Sequence, residues 1–332
     1  MRPFTLERAA DAPIALRLTA AQPDGRYLAG GTTLLDLMKL DVMHPGVLID
    51  VNALTSEYGA IMADEHGLYL GALARMATAA EHSTVKRDYP VLSDALRQAA
   101  SQQLRNMASL GGNVLQRTRC PYFRDPSWSA CNKRTPGSGC AAMSGVNRLL
   151  AVLGTSADCI AHYPGDFAVA LAALDAHVDV LGPDGARSMA FTDLHRLPGD
   201  TPHLETTLQS AELITGFHVP VGPWTRRSLY LKVRDRASYA FAIASAAVAL
   251  DLDANGTVKS VRIGLGGLAT KPWRSHEAEA ALVGRILDET TAQEAAEAAF
   301  AAAVTHGDND FKPELGRRTL VRALLAAAEM EI

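Results

Sequence analysis

All four cysteines of this chain lie in one region of the sequence, at Cys120, Cys131, Cys140 and Cys159. Thiolates are strong ligands for zinc and for iron–sulfur clusters, whereas disulfide frameworks belong mainly to small secreted domains. No cysteine occurs from residue 160 to the C-terminus, which argues against a chance distribution. The clustering therefore predicts a metal site.

The spacing of these cysteines does not select the metal. Structural zinc sites usually use close pairs, and here the intervening segments contain 10, 8 and 18 residues. The Cys-x2-Cys runs of ferredoxins are also missing. The intervening residues are rich in Pro, Gly, Ser and aromatic residues, so they predict a long loop whose thiolates could meet around an iron–sulfur cube. On spacing alone, zinc and an iron–sulfur cluster both remain open.

Basic side chains accompany the cysteines. Positive charge beside a cluster stabilises its more negative, reduced state and raises its potential. A solvated basic loop that docks a partner explains the same charges equally well. Residues 117–134 contain five basic side chains and one acidic one: Arg117, Arg119, Arg124, Lys133, Arg134 and Asp125.

A Gly-Gly segment near the N-terminus, in "RYLAGGTTLLDLMKL", is a candidate phosphate site. Gly30 and Gly31 follow a predicted short strand, and Thr33 with Asp36 predicts a capping box for the next helix. "GVLIDVNAL" then predicts a second strand, which gives a β-turn-α-β unit. Free N–H groups at such a turn can hold a phosphate. The segment matches neither Gly-x-Gly-x-x-Gly nor a Walker A loop, so a plain strand–helix connection is the alternative.

A second Gly-Gly segment lies just before the cysteines, in "ASLGGNVLQ". A predicted amphipathic helix over residues 91–103 leads into it, and we expect it to form a second glycine turn. Two such turns facing each other across a groove would hold the two ends of a dinucleotide. A third glycine-rich stretch, "VRIGLGGLATKPWRS", predicts a strand with a bulge or a close backbone approach, because no helix begins after it.

Composition and missing motifs exclude several classes of function. With 48% hydrophobic residues, 20% charged residues and a net charge of -4, the 332-residue chain is an ordinary globular protein of two or three domains, without nucleic acid as a partner. No apolar run approaches the ~20 residues that cross a bilayer, and the N-terminus does not read as a signal peptide, so we expect no membrane insertion and a cytoplasmic chain. Neither His-Glu-x-x-His nor Gly-x-Ser-x-Gly occurs, and no catalytic residues are predicted. An electron-transfer subunit, in which cofactors carry the chemistry, fits this pattern.

Several segments, in order, give the chain a resemblance to a known family. "LAGGTTLLDLMK", "RNMASLGGN", "HYPGDFAVALAALDA" and "YLKVRDRASYAFAIASAAVAL" resemble the FAD-binding subunit of molybdenum hydroxylases, the xanthine dehydrogenase and carbon monoxide dehydrogenase family. The likeness covers essentially the whole chain. "LQRTRCPYFRD", "CNKRTPGSGC" and the cysteine before "HYPGD" are similar, more narrowly, to FAD subunits of bacterial periplasmic-type aldehyde oxidoreductases, which carry an extra [4Fe–4S] cluster.

The resemblance implies two cofactors and the residues that hold them. A [4Fe–4S] cluster would be bound by Cys120, Cys131, Cys140 and Cys159. Asp166 would approach the flavin side of the dinucleotide and Lys232 the isoalloxazine; a helix N-cap for Asp166 and a strand-edge charge for Lys232 are the alternatives. The rest of the FAD site would comprise Leu28, Ala29, Gly30, Gly31, Thr32, Thr33 and Leu34 at the pyrophosphate, with Ser109, Gly112 and Asn113 as a second contact.

The implied fold is of the α/β (α+β) class. A two-part FAD-binding domain of the vanillyl-alcohol-oxidase/PCMH-like type would span residues 1–58 and 59–219, with the cysteine loop at about 116–160. A C-terminal antiparallel sheet with helices, like the carbon monoxide dehydrogenase flavoprotein C-terminal domain, would span 224–332 after a linker in "GFHVPVGPWTRR". There, "DANG" predicts a hairpin turn, and "TTAQEAAEAAFAAAVTHG" predicts a helix that opens with a Thr-x-x-Glu box and ends at Gly307.

The implied function is that of an electron-transfer subunit in a heterotrimeric molybdenum-dependent aldehyde oxidoreductase. Its partners would be a large subunit with the molybdenum cofactor, a small [2Fe–2S] subunit and an external electron acceptor. A free-standing FAD oxidoreductase of the same fold and a non-enzymatic zinc-loop scaffold are the alternatives. Export by a signal-bearing partner would place the protein in the periplasm instead of the cytoplasm.

Overall fold

The structure of the protein is a computed structural model that describes residues 1–332. It contains three separate β-sheets. The first sheet is parallel, with strand order β1-β3-β2, so each connection needs a crossover helix. The predicted β-turn-α-β unit is confirmed. The predicted capping box is wrong, because the Thr33 side chain makes no cap hydrogen bond. The elements are β1 (Thr5–Arg8), α1 (Ala12–Ala20), β2 (Arg26–Leu28), α2 (Leu34–Lys39), β3 (Val47–Asp50) and α3 (Thr55–Tyr58).

The second sheet is antiparallel, with strand order β4-β5-β8-β6-β7, and its helices pack into the largest hydrophobic core. Its last strand, β8, includes residues 216–220, so the predicted linker begins only after Pro220. The elements are β4 (Ile61–Asp64), β5 (Gly67–Gly71), α4 (Met76–Glu81), α5 (Ser83–Asp88), α6 (Pro90–Gln98), α7 (Gln102–Met107), α8 (Leu110–Val114), α9 (Pro121–Arg124), α10 (Asp166–Ala173), β6 (His177–Gly182), β7 (Gly185–Ala190), α11 (Phe191–Leu194) and β8 (Leu213–Pro220).

The third sheet is antiparallel, with strand order β12-β11-β10-β9, and three helices complete it. The predicted hairpin is confirmed, since the turn at residues 253–256 joins two paired strands. The helix predicted after it differs at both ends: Asp288 and Thr291 form its capping box, and it ends at Ala299, well before Gly307. The elements are β9 (Ser228–Val233), β10 (Ala244–Leu252), β11 (Val258–Gly266), β12 (Trp273–Arg274), α12 (His276–Leu282), α13 (Glu289–Ala299) and α14 (Lys312–Ala328).

Helix α10 lies between the second and third sheets, and all eight of its residues are buried. It packs against β11 at Gly264, where a Cβ would stand 2.6 Å from the carbonyl oxygen of Val169. This contact confirms the close backbone approach predicted for the third glycine-rich stretch. The domain boundaries at residues 58, 219 and 224 stay predictions.

The predicted helix over residues 91–103 is wrong as a single element. Helix α6 ends at Gln98, and α7 begins at Gln102 with Ser101 as its N-cap. Between them Ala100 has a φ of 49°, in the left-handed region, which no α-helix can continue through. The break turns the chain so that α7 leads Met107 toward the first glycine segment.

The cysteine region, as predicted, is mostly loop. Between α8 and α10 it contains only the short helix α9 and a 3₁₀ turn over Ala141–Met143. No helix of the protein combines the length and the apolar character that a bilayer crossing requires.

Candidate cofactor-binding sites

The first glycine segment connects β2 to α2 and touches the chain before α8. A Cβ on Gly30 would stand only 2.0 Å from the carbonyl oxygen of Met107, so no other residue fits there without moving the backbone. Gly31 has a φ of 70°, which glycine adopts without strain. Both glycines are therefore required by the geometry of the turn.

The second glycine segment is a short helix, not the predicted turn. Ser109 is the N-cap of α8, and its side chain accepts a hydrogen bond of 3.1 Å from the N–H of Gly112. The glycines of this segment lie inside α8. Sequence reasoning missed the helix because two consecutive glycines usually disfavour one.

The two segments line one cavity of about 260 Å³, as the sequence predicted for facing glycine segments. Asn113 is not in its lining, although the preceding residue Gly112 is. The Asn113 Oδ1 atom is buried without a hydrogen-bond partner, and a buried acceptor of this kind usually has a donor. Nine predicted residues line the cavity: Leu28, Ala29, Gly30, Gly31, Thr32, Thr33, Leu34, Ser109 and Gly112.

A polar network that sequence reasoning missed fastens these two segments together. Arg75 donates one hydrogen bond to the carbonyl oxygen of Met107 and another, of 2.9 Å, to Oδ1 of Asn52. Asn52 in turn donates to the carbonyl oxygen of Ala29 over 3.1 Å. No motif marks Arg75 or Asn52, because their partners are distant in sequence.

Asp166 and Lys232 do not line this cavity and form a buried ion pair instead. Lys232 Nζ lies 2.7 Å from Asp166 Oδ2, and their side chains are 1% and 4% exposed. Tyr230 donates a hydrogen bond of 2.7 Å to the same carboxylate. Burial raises the pKa of Asp166, and Lys232 and Tyr230 partly offset that rise. Asp166 is not the helix N-cap that the sequence offered as an alternative, because Gly165 is the N-cap of α10. Lys232 lies on the edge strand β9, but it is buried and is therefore not the surface charge of the other alternative.

The four cysteines line a second, much smaller cavity. Cys131 and Cys140 pair through their backbones as an isolated antiparallel bridge, which brings two of the thiols together. Cys120, Cys131 and Cys159 are buried and Cys140 is half-buried, and none of the four forms a disulfide. The structure therefore brings together all four side chains that the sequence singled out.

Burial sets the protonation of two of the four thiols that share this cavity. Burial raises the pKa of Cys120 to about 12 and that of Cys159 to about 11, so without metal both are protonated thiols.

The basic residues of the cysteine loop are used inside the fold. Arg117 and Lys133 both contact Glu205, at 3.1 Å and 2.9 Å. Burial would raise the pKa of Glu205, but these two cations outweigh burial and hold the pKa below its usual value. Arg134 donates to the carbonyl oxygens of Tyr122, Phe123 and Trp128. A freely solvated basic loop is therefore the wrong description of these side chains.

Helix α2 connects the surroundings of the two cavities. Leu37 of this helix lines the glycine cavity and belongs to the buried cluster that includes Cys120, Cys131 and Cys159. Met43, just after the helix, also lines the glycine cavity and packs against that cluster. The glycine cavity and the cysteine region therefore share part of one hydrophobic cluster.

Comparison with known proteins identifies the family. Residues 2–222 match the FAD binding domain in molybdopterin dehydrogenase, and residues 229–331 match the CO dehydrogenase flavoprotein C-terminal domain. The chain is 46% identical to the aldehyde oxidoreductase FAD-binding subunit PaoB of Escherichia coli, over 98% of this chain and 99% of that protein. It is 27% identical to the glyceraldehyde dehydrogenase medium chain of Sulfolobus acidocaldarius, over 86% and 83% of the two chains.

Solved structures share the fold across the whole chain. A chain of the Cu,Mo-CO dehydrogenase superposes with a TM-score of 0.76 at 24% identity, covering 99% of both chains. A chain of quinoline 2-oxidoreductase from Pseudomonas putida gives a TM-score of 0.75 at 24% identity, covering 99% of this chain and 98% of that one. These matches confirm the predicted fold class. The family matches over residues 2–222 and 229–331 and the 46% identity to a relative of nearly equal length show that the chain belongs to the FAD-binding medium subunits of the molybdenum hydroxylase family.

Proposed function

We propose that the protein is the FAD- and [4Fe–4S]-binding electron-transfer subunit of a heterotrimeric molybdenum-dependent aldehyde oxidoreductase. Its partners would be a large subunit with the molybdenum cofactor and a small [2Fe–2S] subunit. Electrons would arrive from the small subunit and leave from FAD to an external acceptor. The 46% identity to an aldehyde oxidoreductase FAD-binding subunit over nearly the full length supports this assignment.

The observation that carries the proposal is the pair of cavities, one lined by both glycine segments and the other by all four cysteines. FAD supplies redox chemistry that exchanges electrons one or two at a time, and a [4Fe–4S] cluster exchanges them singly. The chain's own task would be to hold both. The glycine segments would offer backbone N–H groups to the pyrophosphate, with Thr32 and Thr33 adding hydroxyl donors and Asn113 Oδ1 accepting from the ligand. The predicted approach of Asp166 and Lys232 to the flavin stays a prediction.

For the cysteine cavity we propose Cys120, Cys131, Cys140 and Cys159 as cluster ligands. The four thiols are the whole cysteine content of the chain, and they line one cavity. Because Cys120 and Cys159 hold their protons without metal, loading would release protons. The basic residues around the loop would stabilise the negative charge of the reduced cluster.

The test is metal and flavin content of the chain, co-expressed anaerobically with its two partner subunits. We expect about one FAD and about four irons per chain, with flavin bands and a broad iron–sulfur shoulder in the absorption spectrum. Aldehyde should bleach the flavin only when both partners are present. Bleaching by aldehyde with this chain alone would support the free-standing oxidoreductase, and zinc without flavin would support the scaffold.

Two variants serve as each other's control in this test. Cys120→Ser should lose iron and keep FAD, because the glycine cavity does not include that residue. Gly30→Ala should lose FAD and keep iron, because Gly30 does not line the cysteine cavity. Retention of all iron in Cys120→Ser would contradict the proposed ligand set.

A further inference from the structure

A third cavity borders both the glycine cavity and the four-cysteine cavity. It shares Leu115 with the lining of the first, and Cys159 and Lys133 with the lining of the second. Its volume is about 40 Å³. Because one water molecule needs roughly 10–15 Å³ of cavity space, the cavity suits about three water molecules.

Two buried histidines line this third cavity with unpaired ring nitrogens. His162 Nδ1 and His195 Nε2 are both buried and have no hydrogen-bond partner in the protein. The two residues are only 3% and 6% exposed, so bulk water does not reach them freely. Buried polar atoms rarely lack a partner, so two histidines that line one cavity and each carry such an atom indicate partners inside it.

The charge of the cavity wall decides what those partners are. Burial lowers the pKa of both histidines to about 3, with nearby cations adding to the effect, so both rings are neutral. The Glu205 carboxylate in the wall is already paired with Arg117 and Lys133. Arg196, the other charged residue of the wall, is exposed to solvent. At the two histidines a neutral ligand with both donors and acceptors fits, because each neutral imidazole offers one of each. Water is such a ligand and matches the volume.

We propose that this cavity is a resident water site, in which about three ordered waters bridge His162 and His195. The waters form a polar connection between the wall of the glycine cavity and Cys159. One consequence rests on the proposed function: water dipoles beside Cys159 stabilise the negative charge of a reduced cluster and raise its reduction potential. Removal of these water molecules is then expected to lower the reduction potential of the cluster.

The direct test is a crystal structure of the assembled complex at a resolution that shows ordered water. We expect density within hydrogen-bonding distance of His162 Nδ1 and His195 Nε2. An empty cavity, or imidazole rings turned onto protein partners, would overturn the water site. The electron density in this cavity does not depend on whether the complex contains iron. A complex without iron would contradict the proposed function, and the density would still decide whether the water site exists.

Variants test the connection to the cysteines. His195→Leu removes the hydrogen-bonding group and fills part of the cavity with apolar atoms, whereas His195→Gln keeps a donor and an acceptor. The control is His66→Leu, at a histidine whose side chain is 85% exposed. In a redox titration followed by electron paramagnetic resonance, we expect a lower cluster potential in His195→Leu and near-native potentials in the other two. Equal potentials in all three variants would overturn the connection.

Discussion

Arg124 Nη1 donates a hydrogen bond of 2.9 Å to Asp36 Oδ2, joining two side chains 88 positions apart. Asp36 lies in the first turn of α2, directly after the first glycine segment, and Arg124 ends α9, directly after Cys120. Arg119 contacts the same carboxylate oxygen at 3.3 Å. The carboxylate of Asp36, which contacts both Arg119 and Arg124, therefore links helix α2 beside the glycine cavity to the loop that carries the cysteines.

We expect Asp36→Asn to weaken the hold on iron and to lower the free energy of unfolding by about 1–2 kcal/mol. The substitution keeps the size of the side chain but leaves the mostly buried guanidinium of Arg119 without its counter-charge. The estimate is modest because the Asp36 side chain is 38% exposed. Denaturant unfolding and iron content after repeated buffer exchange are the measurements.

The matched control for that variant is Asp41→Asn, just beyond the same helix. Asp41 is exposed, and its partners Arg2 and His44 are also on the surface, so its loss should change neither iron content nor stability measurably. If Asp36→Asn and Asp41→Asn behave alike, the contact to the arginines contributes nothing to the cysteine loop.

Gly30→Ala should abolish FAD binding. Its Cβ would collide with the carbonyl oxygen of Met107, so the first glycine segment would have to move away from the start of α8 and open the cavity. Flavin content of the purified protein is the measurement. Gly284→Ala is the control, since Gly284 has a φ of 81° but no atom within 4 Å of the added Cβ. It should cost about 1–2 kcal/mol of backbone strain and leave flavin content unchanged.

Local signals predicted the parts of the fold that depend on neighbouring residues. The β-turn-α-β unit and the hairpin at residues 253–256 each follow from a few adjacent residues. The break after α6 was not predictable in this way, because Ala100 is neither Gly nor Pro. The carbonyl oxygen of Gln98 at the end of α6 accepts from Lys232 at 3.1 Å and from Arg234 at 3.2 Å. These contacts with β9 and the residue after it fix the helix end from outside the helix.

The candidate sites divide in the same way. The glycines and cysteines can be recognised in the sequence because they cluster there. Few other residue types allow so close a backbone approach or provide thiolate ligands. Asn52, Arg75 and Glu205 have ordinary side chains whose partners lie far along the chain, so only the fold reveals their roles. For Asp36 the sequence predicts a part in a capping box that Thr33 does not form, whereas its arginine partners lie far along the chain.

The buried pair of Asp166 and Lys232 offers a way to separate a structural role from a role at the flavin. Removing one partner leaves a charge in a buried site, so Asp166→Asn and Lys232→Met should each cost about 3–5 kcal/mol. The double variant should be more stable than the sum of the two losses predicts, because neither charge is left behind. Denaturant unfolding of the four proteins gives the coupling energy.

Flavin binding by the double variant then decides the role of the pair. The pair does not line the glycine cavity, so we expect the double variant to bind FAD with near-native affinity when measured well below its unfolding temperature. A large loss of affinity in a stably folded double variant would instead support the direct flavin contact that the sequence predicts.

Lys312 should make the stability of the protein depend on pH. Its side chain, at the start of α14, is fully buried without a carboxylate partner, and Nζ donates to the carbonyl oxygens of Leu149, Leu150 and Gly267. Burial lowers the pKa of Lys312 to about 7, from about 10.5 in the unfolded chain. Between these values the unfolded state binds the proton and the folded state does not. Stability is therefore fully present above about pH 10.5 and is lost as the pH falls toward 7.

We expect Lys312→Met to remove this dependence. The free energy of unfolding of the variant should fall further below that of the native protein as the pH rises, by up to about 1.4 kcal/mol per pH unit between pH 7 and 10. Urea unfolding at several pH values measures the deficit, with Lys259→Met, at an exposed lysine on β11, as the control. A deficit that stays constant with pH would mean that Lys312 remains charged in the folded protein. The three carbonyl oxygens, one for each N–H of an ammonium group, would then outweigh the effect of burial.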